Sequence, residues 1–122
     1  MATIMIVDDS SYTRRTHRKI VESDGHVVHE ATSGLAAIEG FFVHHPDLVL
    51  LDLTMEDMSG FEVLEKLRAL DPGARVIVVS ADVQRTTAKL VAEAGAVRFL
   101  GKPVSAEGLL EAIRDVLTER AS

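Results

Sequence analysis

The sequence predicts an α/β domain built as a doubly wound, five-stranded parallel sheet with five helices. Three observations predict it. Short apolar runs alternate with segments of helical periodicity from one end of the 122 residues to the other. The loops between them are short. The strand-like runs are nearly all apolar, which marks a sheet covered on both faces, hence parallel, with right-handed crossovers. A chain of this length builds one core, so a single domain over residues 1–122 is expected, without linker, internal repeat or low-complexity segment.

The elements follow in order. Thr3–Val7 is a short apolar run suited to a buried strand. Ser11 is placed as the N-cap of a helix that runs to about Ser23, and Gly25 ends it in a left-handed conformation. Val27–Ala31 is a more polar strand, which fits a sheet edge. Gly34–His44 reads as a helix with Leu35, Ile38 and Phe42 at helical spacing, closed by Pro46. Leu48–Leu51 is the most apolar strand and is expected at the centre. Ser59-Gly60-Phe61-Glu62 has the form of a capping box, opening a helix with Phe61, Leu64, Leu67 and Leu70 on one face. Asp71-Pro72-Gly73 is a turn. The fourth strand is expected over residues 75–79. Asp82 is placed as the cap of the next helix, which ends near Gly95. Residues 97–100 form the fifth strand, and Ser105 caps a last helix with Leu109, Ile113, Val116 and Leu117 facing inward.

Composition excludes several function classes. Cys is absent, which removes disulfide frameworks, thiolate metal sites and a thiol nucleophile. No apolar run approaches the roughly 20 residues of a membrane helix, and Met1 leads straight into a strand without a secretory leader, so a soluble, cytoplasmic chain is expected. The formal charge of -6 argues against generic binding to nucleic acid or an anionic membrane. Neither a G-x-G-x-x-G nor a G-x-x-x-x-G-K-[ST] loop follows the first strand, so no nucleotide cradle is present. His26, His29, His44 and His45 lack carboxylates at ligand spacing and read as surface histidines.

The chemistry collects at strand ends. Asp8 and Asp9 follow the first strand, Asp52 the third, Ser80 the fourth, and Gly101-Lys102-Pro103 the fifth. In open α/β sheets, sites form beyond the carboxyl ends of the strands, where the strand order reverses. Three carboxylates on one sheet edge call for a divalent cation, and hard oxygen ligands suit Mg²⁺ or Mn²⁺. Asp52 can then serve as the nucleophile that forms an acyl phosphate. Lys102 supplies a compact cation for phosphate oxygens, and Ser80 a hydroxyl donor. These parts suffice for phosphoryl transfer, where the protein mainly positions groups and stabilises charge. Taken singly they are ordinary. Asp8-Asp9 alone reads as a loop pair or helix cap, Ser80 as a turn residue, and Phe99 equally as a core ring or as a switch.

VDDS, LLDLTM with Asp52, VVSA with Ser80 and FLGKP with Lys102 together resemble the receiver domains of two-component response regulators. The resemblance covers essentially the whole chain, in order, and is nearest to the stand-alone, CheY-like kind, a flavodoxin-like fold with strand order 2-1-3-4-5. It implies that Asp52 accepts a phosphoryl group from a histidine kinase or histidine phosphotransfer protein. It implies Mg²⁺ (or Mn²⁺) ligated by Asp9, Asp52 and the Thr54 carbonyl, with Asp8 acting through water. Ser80 and Lys102 would hold the phosphoryl oxygens, Phe99 would be an aromatic switch, and Thr54 and Asp82 would tune phosphoryl lifetime. The Lys102–Pro103 bond would be cis. The chain would catalyse its own phosphorylation and slow hydrolysis, as a monomer, without turning over a substrate. A downstream protein target would read the surface near Lys89, Arg98 and Phe99.

Departures from that pattern carry expectations of their own. Glu56 stands where many members have Pro, which implies a more mobile loop after Asp52. Ser80 replaces the commoner Thr and lacks the methyl that restricts its rotamer. Phe99 replaces the frequent Tyr. Thr16, His17 and Asp24 lie where relatives often carry apolar residues, leaving Ile20 and Val21 to anchor a loosely packed first helix. The run Arg14, Arg15, His17, Arg18, Lys19 reads either as a solvated face or as a stripe favouring an acidic partner helix. Two other functions compete: an interaction module that keeps the fold without phosphorylating, and a metal-dependent phosphatase. The phosphatase would need a carboxylate where Thr54 stands.

Overall fold

The computed structural model describes residues 1–119. The element order is β1 (Thr3–Val7), α1 (Ser11–Ser23), β2 (Val27–Ala31), α2 (Gly34–His44), β3 (Leu48–Leu51), α3 (Gly60–Leu70), β4 (Val76–Ser80), α4 (Arg85–Glu93), β5 (Arg98–Gly101) and α5 (Ala106–Glu119). The five strands pair in parallel in the order β2-β1-β3-β4-β5, as expected. All their carboxyl ends therefore lie along one edge.

Alternation along the strands divides the core into two layers, because successive side chains point to opposite faces. Met5, Val7, Val49, Leu51, Val76 and Val78 pack with the inner faces of α2, α3 and α4. Ile4, Ile6, Leu48, Leu50, Ile77 and Val79 pack with Val21 of α1 and with Leu109, Ile113 and Val116 of α5. Every residue of β3 is buried, which accounts for its continuous apolar sequence. Burial of each such side chain contributes about 1.5–3 kcal/mol, and the result is a stiff platform for whatever follows the strand ends.

Several local expectations shift. β4 and β5 each lie one residue later than expected, so Ser80 is the last residue of its strand and pairs with Gly101. The cap of α1 is Ser10, whose Oγ accepts from the Thr13 N–H at 3.3 Å, and Asp8 Oδ1 fixes it by accepting from the Ser10 N–H. Gly25 does end this helix with a φ of 86°. The cap of α4 is Gln84; Asp82 sits in the preceding turn, accepting from the Gln84 N–H at 3.1 Å and from the Thr87 hydroxyl at 2.7 Å. Ser59 and Ser105 take the capping roles assigned to them, accepting from Glu62 and Gly108 N–H groups.

Helix α2 is rotated from its expected orientation. Its inner stripe is Gly34, Ala37 and Phe41, while Leu35 and Phe42 are exposed and Ile38 is half-buried. Gly34 causes this: a Cβ there would lie 2.1 Å from Met58 Cγ, so the helix approaches the β3–α3 loop too closely for a larger residue. Leu70 is likewise exposed at the end of α3, where Val63 takes a place on the inner face.

Helix α1 has a thin apolar face, and polar contacts supplement it. His17 and Val21 are its buried residues, with Ile20 half-buried. Arg14 and Arg18 both pair with Glu30 of β2, at 2.9 and 2.6 Å, and Asp24 pairs with Arg114 of α5 at 2.7 Å. The helix is thus tied to the elements on both sides of it.

The rotated face of α2 gives a direct test. Phe41→Ala is expected to cost about 3–5 kcal/mol in urea unfolding. Phe42→Ala, one residue on, is expected to stay within about 0.5 kcal/mol.

Candidate functional site

Main-chain hydrogen bonds extend the sheet one residue past its strands and fix the site residues there. Asp8 N–H donates to Ala31 O at 3.1 Å, Asp52 N–H to Val7 O at 3.0 Å, and Lys102 N–H to Ser80 O at 2.8 Å. Asp8 and Asp52 follow neighbouring strands β1 and β3, at the position where the chain's strand order reverses. Side-chain convergence here follows from backbone pairing, which is why residues 94 positions apart in sequence meet.

Carboxylate oxygens of Asp8, Asp9 and Asp52 lie within 4.8 Å of one another. Asp8 and Asp52 are buried, and Asp9 is exposed on the open side. Lys102 Nζ lies 3.0 Å from Asp8 Oδ2 and 3.5 Å from Asp52 Oδ1. One ammonium therefore faces three carboxylates, so the cluster keeps a net negative charge. Burial pushes the Asp52 carboxyl above its ordinary range, and the charge of Asp8 pushes the same way. Lys102 and the Thr54 N–H, which donates to this carboxylate, oppose that rise. The donor set fits a hard divalent cation: oxygen ligands only, close together, and short of positive charge.

The remaining predicted residues lie on β4, β5 and α4 or in the loops that follow β3, β4 and β5. Ser80 is buried, and its Oγ accepts from the Asp82 N–H at 3.0 Å. Thr54 is exposed beside Asp52, and Phe99 is half-buried against the core on β5. The Lys102–Pro103 bond is cis. Arg98 pairs with Glu119, and Lys89 is exposed on α4.

The basic run on α1 does not form one stripe. Glu30 takes up Arg14 and Arg18, and Arg14 also donates to the Asp8 carbonyl at 2.8 Å. His17 is buried, and burial together with Lys102 lowers its proton affinity, with Asp8 opposing. Arg15 and Lys19 are exposed. His17 also lines, with Tyr12, Thr16, Lys102, Pro103 and Val104, a cavity of about 460 Å³ beside the cluster.

Sequence reasoning missed three contacts. His29 of β2 and His44 of α2 are stacked with ring centroids 3.7 Å apart, although each read as an isolated surface residue. Thr87 closes the turn before α4 through Asp82. Asp57 accepts from the N–H groups of Gly34 and Leu35, which hold its carboxyl below the usual range. The only local signal for Asp57 was a capping-type residue in a turn-like stretch; its partners lie 23 and 22 residues away.

Comparisons with known proteins agree with this geometry. The response regulator receiver domain family matches residues 4–114. The chemotaxis protein CheY of Bacillus subtilis is 39% identical over 115 residues, covering 93% of this chain and 96% of that protein. A CheY-like receiver domain from Methanospirillum hungatei superposes with a TM-score of 0.94 at 30% identity, covering 99% of this chain and 97% of the other. The CheY of Borrelia burgdorferi, solved in complex with CheX, beryllofluoride and Mg²⁺, has a TM-score of 0.91 at 31% identity, covering 94% of this chain and 88% of the other.

The raised Asp52 carboxyl fixes the sign of a pH effect. The folded state holds this proton more tightly than the unfolded chain does, so stability falls as pH rises from the ordinary carboxylate range through the raised folded value. Asp52→Asn removes that cost. In metal-free buffer at pH 7 the variant is expected to be more stable than the wild type, with a higher Tm. The advantage should shrink on acidification and vanish once Asp52 is protonated in both states, as followed by thermal melts across pH.

Proposed function

This chain belongs to the response regulator receiver domain family of two-component signalling, and from that premise we propose that it is a switch driven by phosphorylation of Asp52. The observation that carries this reading is the meeting of Asp8, Asp9, Asp52 and Lys102 at the carboxyl edge of the sheet. An interaction module that never phosphorylates has no use for three clustered carboxylates, which only destabilise its fold.

In the proposed reaction an Asp52 carboxylate oxygen attacks the phosphorus of a phosphohistidine. The P–N bond of the donor breaks, its electron pair stays on the imidazole nitrogen, and an aspartyl phosphate forms. Asp9, Asp52 and the Thr54 carbonyl would hold Mg²⁺, with Asp8 reaching it through water. When bound, the cation lets the carboxylates remain ionised together and offsets charge on the phosphoryl oxygens. Lys102 moves its ammonium from Asp8 toward the new phosphoryl oxygens. Ser80 turns its hydroxyl to donate to another of them, giving up its contact with the Asp82 N–H. Thr54 and Asp82 border the site and set how readily water reaches the acyl phosphate.

The phosphodonor is a histidine kinase or a histidine phosphotransfer protein. It docks beside Asp9, where Tyr12 and Thr16 of α1 and Pro103 form one wall. The target is a protein that reads α4, β5 and α5 around Lys89, Arg98 and Phe99. Phosphorylation shifts an existing equilibrium toward the state in which Phe99 turns inward, so the fold itself does not change. In this reading the protein acts in the cytoplasm, as a monomer. No helix among the described residues is long and apolar enough to cross a membrane.

Incubation with acetyl phosphate and Mg²⁺ is expected to add one phosphoryl group by intact-mass analysis, and Asp52→Asn should add none. Lys102→Met should slow the gain by about 10²-fold, the usual effect of losing one charge-stabilising donor. An adduct that survives in Asp52→Asn would show that another residue is the acceptor.

A further inference from the structure

The loop over residues 52–59 carries the Thr54 carbonyl, and its sequence, with Glu56 in place of the family's frequent Pro, predicts mobility. Hydrogen bonds instead close it at both ends. At its base Gly60 N–H donates to Leu53 O at 2.8 Å. A Cβ on Gly60 would lie 2.5 Å from Leu53 Cα and 2.7 Å from Asp52 O, so the chain pinches shut there. At its tip Asp57 reaches a different helix. Oδ1 accepts from Gly34 N–H at 2.9 Å and Oδ2 from Leu35 N–H at 3.0 Å.

Gly34 and Leu35 open α2, where N–H groups lack intrahelical partners and negative charge is favoured. Hydrogen bonds to a carboxylate are among the stronger ones. Met58 adds an apolar contact, filling the space that a side chain on residue 34 would occupy. The helix has a cap of its own, since Ser33 Oγ accepts from Ala36 N–H at 3.1 Å. Asp57 is therefore an addition to the helix start, made from the loop side.

We propose that Asp57 is a positioning residue for the metal site: by clamping the loop tip to α2 it holds the Thr54 carbonyl in place for the cation. This rests on the ligand set proposed above. A backbone carbonyl binds well only when ordering its loop costs little at the moment of binding, and a tether already made in the free protein removes that cost. Asp57 is exposed and belongs to a different end of the loop from Asp52, so it acts on the cation through the backbone alone.

The test is Mg²⁺ titration calorimetry on the unphosphorylated protein. Asp57→Ala is expected to weaken Mg²⁺ binding about tenfold, the lower end of what losing an outer partner costs a metal site. Asp57→Asn, which keeps one acceptor oxygen, should weaken it less, and it carries the comparison if the alanine variant fails to fold. Ser33→Ala removes the other cap of the same helix; it should lower Tm and leave Mg²⁺ affinity unchanged. Wild-type affinity in both Asp57 variants would overturn the inference and leave the proposed function standing. An equal loss in Ser33→Ala would also overturn it, because helix stability would then be what the cation senses. A wild-type chain that does not bind Mg²⁺ would remove the proposed function, and this inference with it.

Discussion

Repulsion among carboxylates at the carboxyl edge of the sheet is the constraint on which the rest of this structure depends. Asp8 and Asp52 are both buried, with Asp9 beside them, and a single ammonium faces the group. Buried charge is tolerated only when paired and hydrogen-bonded, and here the pairing falls short. The sheet has to hold these groups together against their own repulsion. It does so with a central strand buried along its whole length and with main-chain hydrogen bonds that continue past the strand ends to Asp8, Asp52 and Lys102. Domains of this size are stable by only about 5–15 kcal/mol, so the cost of the acidic cluster is a substantial part of the balance. In the proposed switch, a cation and a phosphoryl group would relieve that repulsion.

The same constraint explains how a change at Asp52 can reach a distant surface. Ser80 ends β4 and is bound to the turn before α4 through the Asp82 N–H. That turn is held by Asp82 through Gln84 and Thr87, and Val83 within it packs over Gly101, where a Cβ would lie 2.7 Å from Val83 Cγ1. Gly101 in turn precedes Lys102. In the proposed switch, both groups that turn toward the phosphoryl, Ser80 and Lys102, are therefore mechanically joined to one short turn. Helix α4 begins just after that turn without a cap from its own N-cap side chain, so its start is tied to the site through Asp82. Phe99 lies on β5 one strand over, paired with Val78.

What the sequence made legible was what depends on period and on chain order. The parallel sheet and the convergence of Asp8, Asp9, Asp52 and Lys102 follow from apolar runs with functional groups at their ends, and the strand order follows from the family resemblance. The errors came where one residue's neighbour in space decides the outcome. Helix α2 offers two apolar stripes, and only the approach of Met58 to Gly34 selects the one with Ala37 and Phe41. The basic run on α1 looked continuous because Glu30, which takes two of its arginines, lies on another element. His17 looked like part of that run, yet it is buried and lines the same cavity as Lys102. Asp57 was invisible for the same reason: its partners belong to a helix more than twenty residues upstream.

The most direct test of the central claim is a crystal structure of the chain with Mg²⁺ and beryllofluoride. Beryllofluoride is expected on an Asp52 oxygen, with Mg²⁺ ligated by Asp9, Asp52 and the Thr54 carbonyl. Lys102 Nζ is expected to leave Asp8, where it now lies at 3.0 Å, for the fluorides. Mg²⁺ bound elsewhere, or Lys102 still paired with Asp8 beside an occupied Asp52, would contradict that claim.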